Sequence, residues 1–262
     1  MRSSNIFISV LGLLSLNAFA IANLPLPAEI FEVNGRRAFV MQPEDPAAGK
    51  PWVWYAPTLH NYPHHSQGHY FEQLLAQGVA VAGYDLGEVR GAPGSSATFT
   101  GFYNAMVARG YSEKPVLLGQ SRGGLMMLCW AFRHPEKVGA FAGIYPVCNL
   151  ASWPLQRSKP SVLADYEMSE AEILTQLDTF NSAENLAGLA KAGVPMFIIH
   201  GDSDRVVPYS DNSALIKEKY DALGGAIEVK IVPGKGHAEV PEFFRDQDLL
   251  EFIIKQAKEK KQ

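Results

Sequence analysis

The feature that most constrains this chain is a rhythm. From about Pro51 onward, a short apolar run is followed by a loop, a helical pattern and another short apolar run. The apolar runs are Trp52–Tyr55, Val79–Tyr84, Val116–Leu118, Gly139–Tyr145, Val194–Ile199 and Ile227–Val232. They are nearly continuous in apolar or small residues, the pattern of strands covered on both faces. Helical patterns lie between them near Gly68–Gln77, Thr98–Arg109, Gly123–Arg133 and Asn212–Leu223, and a last one covers Pro241–Ala257. Upstream, Ile30–Val33 and Ala38–Met41 flank Asn34-Gly35, which reads as a hairpin with a tight turn. A hairpin feeding such a series predicts a mostly parallel sheet wrapped by helices.

Composition narrows the classes further. At 262 residues, 47% apolar and 11% aromatic, the chain can bury one large core. Lys plus Arg number 23 against 27 Asp plus Glu, a net charge of −4, so no basic footprint for nucleic acid is present. The two cysteines, Cys129 and Cys148, form neither a disulfide framework nor a C-x-x-C pair and read as buried thiols.

The N-terminus has its own signature. Arg2 precedes an apolar run from Ile6 to Leu16 and the stretch Asn17-Ala18-Phe19-Ala20, the plan of a secretory signal peptide. Residues 1–20 are expected to be removed after Ala20, with Ala22 as the alternative cleavage site, leaving 21–262 as one domain. The mature protein is then expected to be exported, periplasmic or secreted, with no stable membrane anchor.

The rhythm breaks once, between Val147 and Ala192. Ser169-Glu170-Ala171-Glu172 reads as a capping box opening a short helix, and Ser182–Lys191 as another. An insertion of this size between core strands, 147–192, is expected to be a lid or pocket wall.

Chemistry enters at Gly119-Gln120-Ser121-Arg122-Gly123, a G-x-S-x-G run directly after a strand and directly before a helix. A serine on such a turn is pushed out with its Oγ exposed, beside backbone N–H groups at the helix start that can hold an oxyanion. A serine hydroxyl needs a base, and the base an orienting acid. Asp204 follows the Val194–Ile199 strand within His200–Pro208, and His237 follows Ile227–Val232 within Gly234-Lys235-Gly236-His237. Three parallel strands would thus deliver Ser121, Asp204 and His237 to one rim of the sheet.

With these motifs the chain resembles the α/β-hydrolases, from about Glu29 to Ala257. The resemblance rests on the Gly119–Gly123 elbow, the His-Gly-x-x-Asp-x-x-Val-Pro run at His200–Pro208, Gly236-His237 and the order Ser, Asp, His. It implies Ser121 as nucleophile, His237 as general base and then acid, and Asp204 as the residue that orients it. Asp202, two residues away, competes for the acid role, and the family pattern favours Asp204. Where many members carry His-Gly after the strand supplying part of the oxyanion hole, this chain has Ala56-Pro57-Thr58-Leu59. Pro57 has no N–H, so the expected donors are the amides of Arg122 and Thr58, with Leu59 as the fallback. The chain is also similar to a group of exported bacterial hydrolases through Trp54–Leu59 and Ile144–Leu150.

Other residues keep two readings. The Arg122 side chain, and Arg90 likewise, can pair with a substrate carboxylate or brace loops. Trp153 can stack on a sugar or pack the insertion onto the body. His60, His64, His65 and His69 have i, i+4 spacings suggestive of metal pairs, but Pro63 interrupts them and no acid accompanies them, so a polar loop by the pocket mouth is expected. Neither a phosphate loop nor a dinucleotide fingerprint is present, so no cofactor is expected. The resemblance implies an exported serine hydrolase cleaving carboxylic esters, small or on polysaccharide, with acetyl or methyl esters as the suggested decorations. The rivals are a prolyl-oligopeptidase-like peptidase and an inactive hydrolase fold used for binding. The oligomeric state is left open.

Overall fold

A computed structural model describes residues 23–259, so the signal-peptide expectation lies outside the described residues. Eight strands form one sheet in the order β1-β2-β4-β3-β5-β6-β7-β8. Glu29–Val33 (β1) and Arg36–Met41 (β2) are the expected hairpin, turned by Asn34 and Gly35 at φ 51° and 73°. β2 runs antiparallel to Ala80–Tyr84 (β4); Trp52–Ala56 (β3), Val116–Gln120 (β5), Ala140–Ile144 (β6), Met196–Gly201 (β7) and Ile227–Val232 (β8) continue the sheet in parallel. This is the α/β-hydrolase fold.

The continuous apolar runs have a direct physical cause. Successive side chains of a strand face opposite sides, and here both sides are covered. Trp52, Trp54, Leu117, Phe141 and Ile198 enter one core with Pro93–Ala108 (α2) and Arg122–Ala131 (α3). Val53, Tyr55, Leu118, Phe197 and Ile199 enter the other, with Gly68–Ala76 (α1). β8 departs from this reading: it is an edge strand, it carries Glu228 and Lys230, and none of its residues is fully buried, Ile231 being exposed.

The insertion between β6 and β7 folds as five short helices, Trp153–Arg157 (α4), Lys159–Tyr166 (α5), Glu170–Thr175 (α6), Leu177–Phe180 (α7) and Ala187–Lys191 (α8). The capping box at Ser169 and Glu172 forms as expected. α4 and α5, for which no helix was expected, carry Pro154 and Pro160 in their first turns, where proline is tolerated. Ser182–Lys191 is not one helix but a 3-10 turn over Ser182–Glu184 followed by α8. The insertion is fastened to the body: Asp165 pairs with Arg90, and the Tyr166 hydroxyl donates to the Arg90 carbonyl at 3.2 Å.

Near the C-terminus, Ser210–Ala214 makes a π-helical turn before Leu215–Ala222 (α9). The expected Pro241–Ala257 helix is broken in two, Pro241–Phe244 (α10) and Gln247–Lys258 (α11), because Asp246 caps the second by accepting from the Leu249 amide at 3.0 Å. Among the described residues no helix is long and apolar enough to cross a membrane.

Candidate active site

Ser121 stands between β5 and α3 at φ 50°, ψ −123°, a region that residues with a side chain rarely occupy. The strain is held from several directions. The Ser121 amide donates to Ile144 at 3.0 Å, and its carbonyl accepts from Gly124 at 2.9 Å and Val147 at 2.8 Å. The glycines of the elbow are required by contact: a Cβ on Gly119 would lie 2.7 Å from the Gly124 Cα, and one on Gly123 would lie 2.0 Å from the Ala56 carbonyl oxygen. Those atoms are backbone and cannot swing aside. Gly123→Ala is therefore expected to destabilise the fold by about 3 kcal/mol and to push the elbow away from the end of β3, a change read from urea unfolding midpoints.

Asp204 lies three residues beyond β7, with its side chain fully buried. Its Oδ1 accepts from the Val206 and Val207 amides at 2.8 and 2.9 Å, which fixes the carboxylate and turns Oδ2 outward. Oδ2 lies 2.7 Å from His237 Nδ1 and 3.4 Å from His200 Nε2. Burial opposes ionisation here, yet the hydrogen bonds from His200 and His237, the electrostatic attraction of the His237 ring and the Val207 amide outweigh it and hold the carboxyl well below the usual carboxylate range. His237, on the loop after β8, completes the line with Nε2 at 2.9 Å from Ser121 Oγ. A carboxylate at Nδ1 requires a proton there, so Nε2 is the nitrogen free to accept from the serine.

The structure thus brings Ser121, Asp204 and His237 together. Asp202 stands apart: exposed, its Oδ1 accepts from the Gly234 amide at 2.7 Å and the Ser203 hydroxyl at 2.9 Å.

The two expected oxyanion donors are open. The Arg122 amide is the first of α3 and so has no intrahelical acceptor. Neither it nor the Thr58 amide makes a hydrogen bond among the described residues. Leu59, the fallback, is occupied: its amide donates to the Tyr62 carbonyl at 3.2 Å.

The Arg122 side chain is engaged as a brace, donating to Glu88 at 2.8 Å and lying over the Trp153 ring at 5.4 Å. Arg90 likewise braces, through Asp165. Trp153 packs with the core of the insertion. Of the histidine run, His64 accepts from the Ser66 amide through Nδ1 at 3.2 Å and so caps a 3-10 turn, while His60 and His65 are exposed. Among the described residues no group of three side chains suited to a metal converges.

Three features escaped the sequence reading. The Tyr62 hydroxyl donates to Glu239 at 3.3 Å, joining the loop after β3 to the loop of His237. His200, fully buried, is bonded to Ser213 at 2.6 Å and the Val207 carbonyl at 2.9 Å. Tyr145, at φ 34°, packs its ring on His237. Only the Ile144–Leu150 segment, noted for its resemblance, pointed toward the last.

Fold and site together define a class, the serine hydrolases of the α/β-hydrolase superfamily. Solved structures share the fold. A puromycin-hydrolyzing peptidase of Mycobacterium tuberculosis superposes with a TM-score of 0.68 at 14% identity, over 88% of this chain and 39% of that one. Est1E from Butyrivibrio proteoclasticus gives 0.64 at 18% identity, over 87% of this chain and 98% of that one. An S-formylglutathione hydrolase from Agrobacterium tumefaciens gives 0.66 at 15% identity, over 88% and 94%. The chain spans about two fifths of the length of the first of these. A comparison with curated proteins finds no match in sequence. The profile of the prolyl oligopeptidase family matches residues 98–260, well over half the chain, and the chain belongs to that family.

Proposed function

We propose that the chain is an exported serine hydrolase that cleaves carboxylic esters. The observation that carries this reading is the hydrogen-bonded line from Ser121 through His237 to Asp204, at 2.9 and 2.7 Å, with the Arg122 and Thr58 amides making no hydrogen bond among the described residues. Ser121 Oγ attacks the ester carbonyl as His237 Nε2 takes its proton. The Thr58 and Arg122 amides hold the oxyanion, and Asp204 stabilises the imidazolium. His237 returns the proton to the departing alcohol, leaving an acyl-enzyme. Water, deprotonated by the same nitrogen, then releases the acid and restores Ser121.

An alcohol leaves more readily than an amine, so an ester is the least demanding substrate this machinery can take. The signal-peptide-like pattern in residues 1–20 and the likeness to exported hydrolases at Trp54–Leu59 and Ile144–Leu150 support acetyl or methyl esters on polysaccharide. Membership of the prolyl oligopeptidase family favours a second reading, a peptidase with the same triad. Paired assays separate them. p-Nitrophenyl acetate and longer esters are run beside nitroanilides of short peptides, including those ending in proline. The ester reading expects turnover greatest on acetate and absent on the anilides. Anilide hydrolysis as efficient as ester hydrolysis would replace it by the peptidase reading.

A further inference from the structure

His237 lies on the loop between β8 and α10 and is held at opposite ends of its ring, Nε2 by Ser121 and Nδ1 by Asp204. Two such bonds leave one motion open, a swivel of the imidazole about the line joining its nitrogens. The Tyr145 ring stands in the way of that motion, with ring centroids 4.3 Å apart and planes inclined at 51°.

Tyr145 is itself immobilised. Its ring meets Phe243 edge-on at 5.1 Å and Phe244 at 6.0 Å. Its amide donates to the Ile199 carbonyl at 2.8 Å, and its hydroxyl accepts from Gln120 Nε2 at 3.2 Å. Gln120 Oε1 in turn accepts from the Tyr55 hydroxyl at 2.7 Å and from Gln67 Nε2 at 3.0 Å, all within the buried interior. Gln120 immediately precedes Ser121, so one buried network steadies both the elbow and the ring beside the base. The backbone of Tyr145 is kept at φ 34°, a conformation sustained only where the surroundings over-determine it.

We infer that Tyr145 is a positioning residue for the general base. Its ring stops His237 from swivelling out of line between Ser121 and Asp204. It also lies against the cation that His237 becomes on taking the serine proton, a charge that aromatic faces attract. Phe243 and Phe244 keep that ring in place, and the Gln120 contact to the Tyr145 hydroxyl adds to this without being required. The inference rests on the triad reading given above.

The test compares Tyr145→Phe, which keeps the ring, with Tyr145→Met, which fills the space without an aromatic face. On p-nitrophenyl acetate, Tyr145→Met is expected to lose about tenfold or more in kcat with KM changed less than about twofold, while Tyr145→Phe recovers most of the loss. Unchanged kcat in Tyr145→Met, or an equal loss in Tyr145→Phe, overturns the inference. Phe243→Leu, which removes the edge that backs the ring, is the second handle where Tyr145→Met fails to fold. A kcat-selective loss is expected there too, and wild-type kcat in it counts against the inference. The far-downfield NMR signal of the His237 Nδ1–H proton reads ring placement without turnover: it should stay sharp in Tyr145→Phe and broaden in Tyr145→Met. A sharp signal in Tyr145→Met overturns the inference. If the signals of the variants follow the expected pattern yet the wild type hydrolyses no ester, the function proposed above fails while the positioning role stands.

Discussion

Ser121→Ala is expected to lower turnover of p-nitrophenyl acetate by on the order of 10⁶, down to the level that the oxyanion donors and binding alone provide. The size of the effect follows from what the hydroxyl does. Among the described residues no other hydroxyl is placed at His237 Nε2, where Ser121 Oγ lies at 2.9 Å, so none of them can take over the attack. Stability should hardly change, within about 0.5 kcal/mol. The side chain's one hydrogen bond is at the half-exposed mouth of the site, and the strain at φ 50° is the same for alanine as for serine. Turnover is read by absorbance and stability by urea titration of the same preparation. Loss of activity with an unchanged unfolding midpoint is the expected pair of results.

Asp204→Asn should cost about 10⁴ in kcat, by a route legible in the hydrogen bonds. The Val206 and Val207 amides both donate to Oδ1, so the amide oxygen of an asparagine must take that position. Its NH₂ group then faces His237 Nδ1 in place of Oδ2, and two donors meet. The imidazole relieves the conflict by moving its proton to Nε2, where it can no longer accept from Ser121.

The same substitution changes the response to acid. Asp204 has its carboxyl held well below the ordinary range, so the folded state binds its proton less readily than the unfolded chain does. The stability this supplies is complete above the unfolded value of about 4 and drains away as pH falls through the lowered folded value. Asparagine cannot titrate. Urea midpoints of Asp204→Asn should therefore fall less steeply below about pH 4 than those of the wild type. Equal acid sensitivity in the two proteins would show that Asp204 is not held in this way.

The parts of this account that were legible in the sequence share a cause: each is written in local pattern. Strands covered on both faces leave continuous apolar runs, and Val116–Leu118 and Val194–Ile199 were readable for that reason. The Gly119–Gly123 elbow was readable because Gly123 sits against the β3 backbone, where nothing larger fits. Thr58 followed from the family resemblance, which pointed to the end of β3, with Pro57 set aside for want of an N–H, and the structure engages Leu59 in a bond to Tyr62. What was hidden depends on contacts between distant segments. Arg122 read equally well as a substrate ligand until Glu88 and Trp153 appeared beside it. The break at Arg245 needed the side chain of Asp246 to act as a cap, which competes poorly on paper with the apolar period running through Phe244 and Leu249. Tyr145 carried no catalytic signature at all, because its place is set by Gln120, Phe243 and Ile199 from three other stretches of chain.

The central claim is that Ser121 is a nucleophile activated by His237 and Asp204. Reaction of the purified protein with a fluorophosphonate, followed by intact mass and peptide mapping, tests it most directly. The account predicts one adduct per chain, located on Ser121, absent from Ser121→Ala and formed far more slowly in Asp204→Asn. A folded wild-type protein that takes no label, or takes it on another residue, would contradict it.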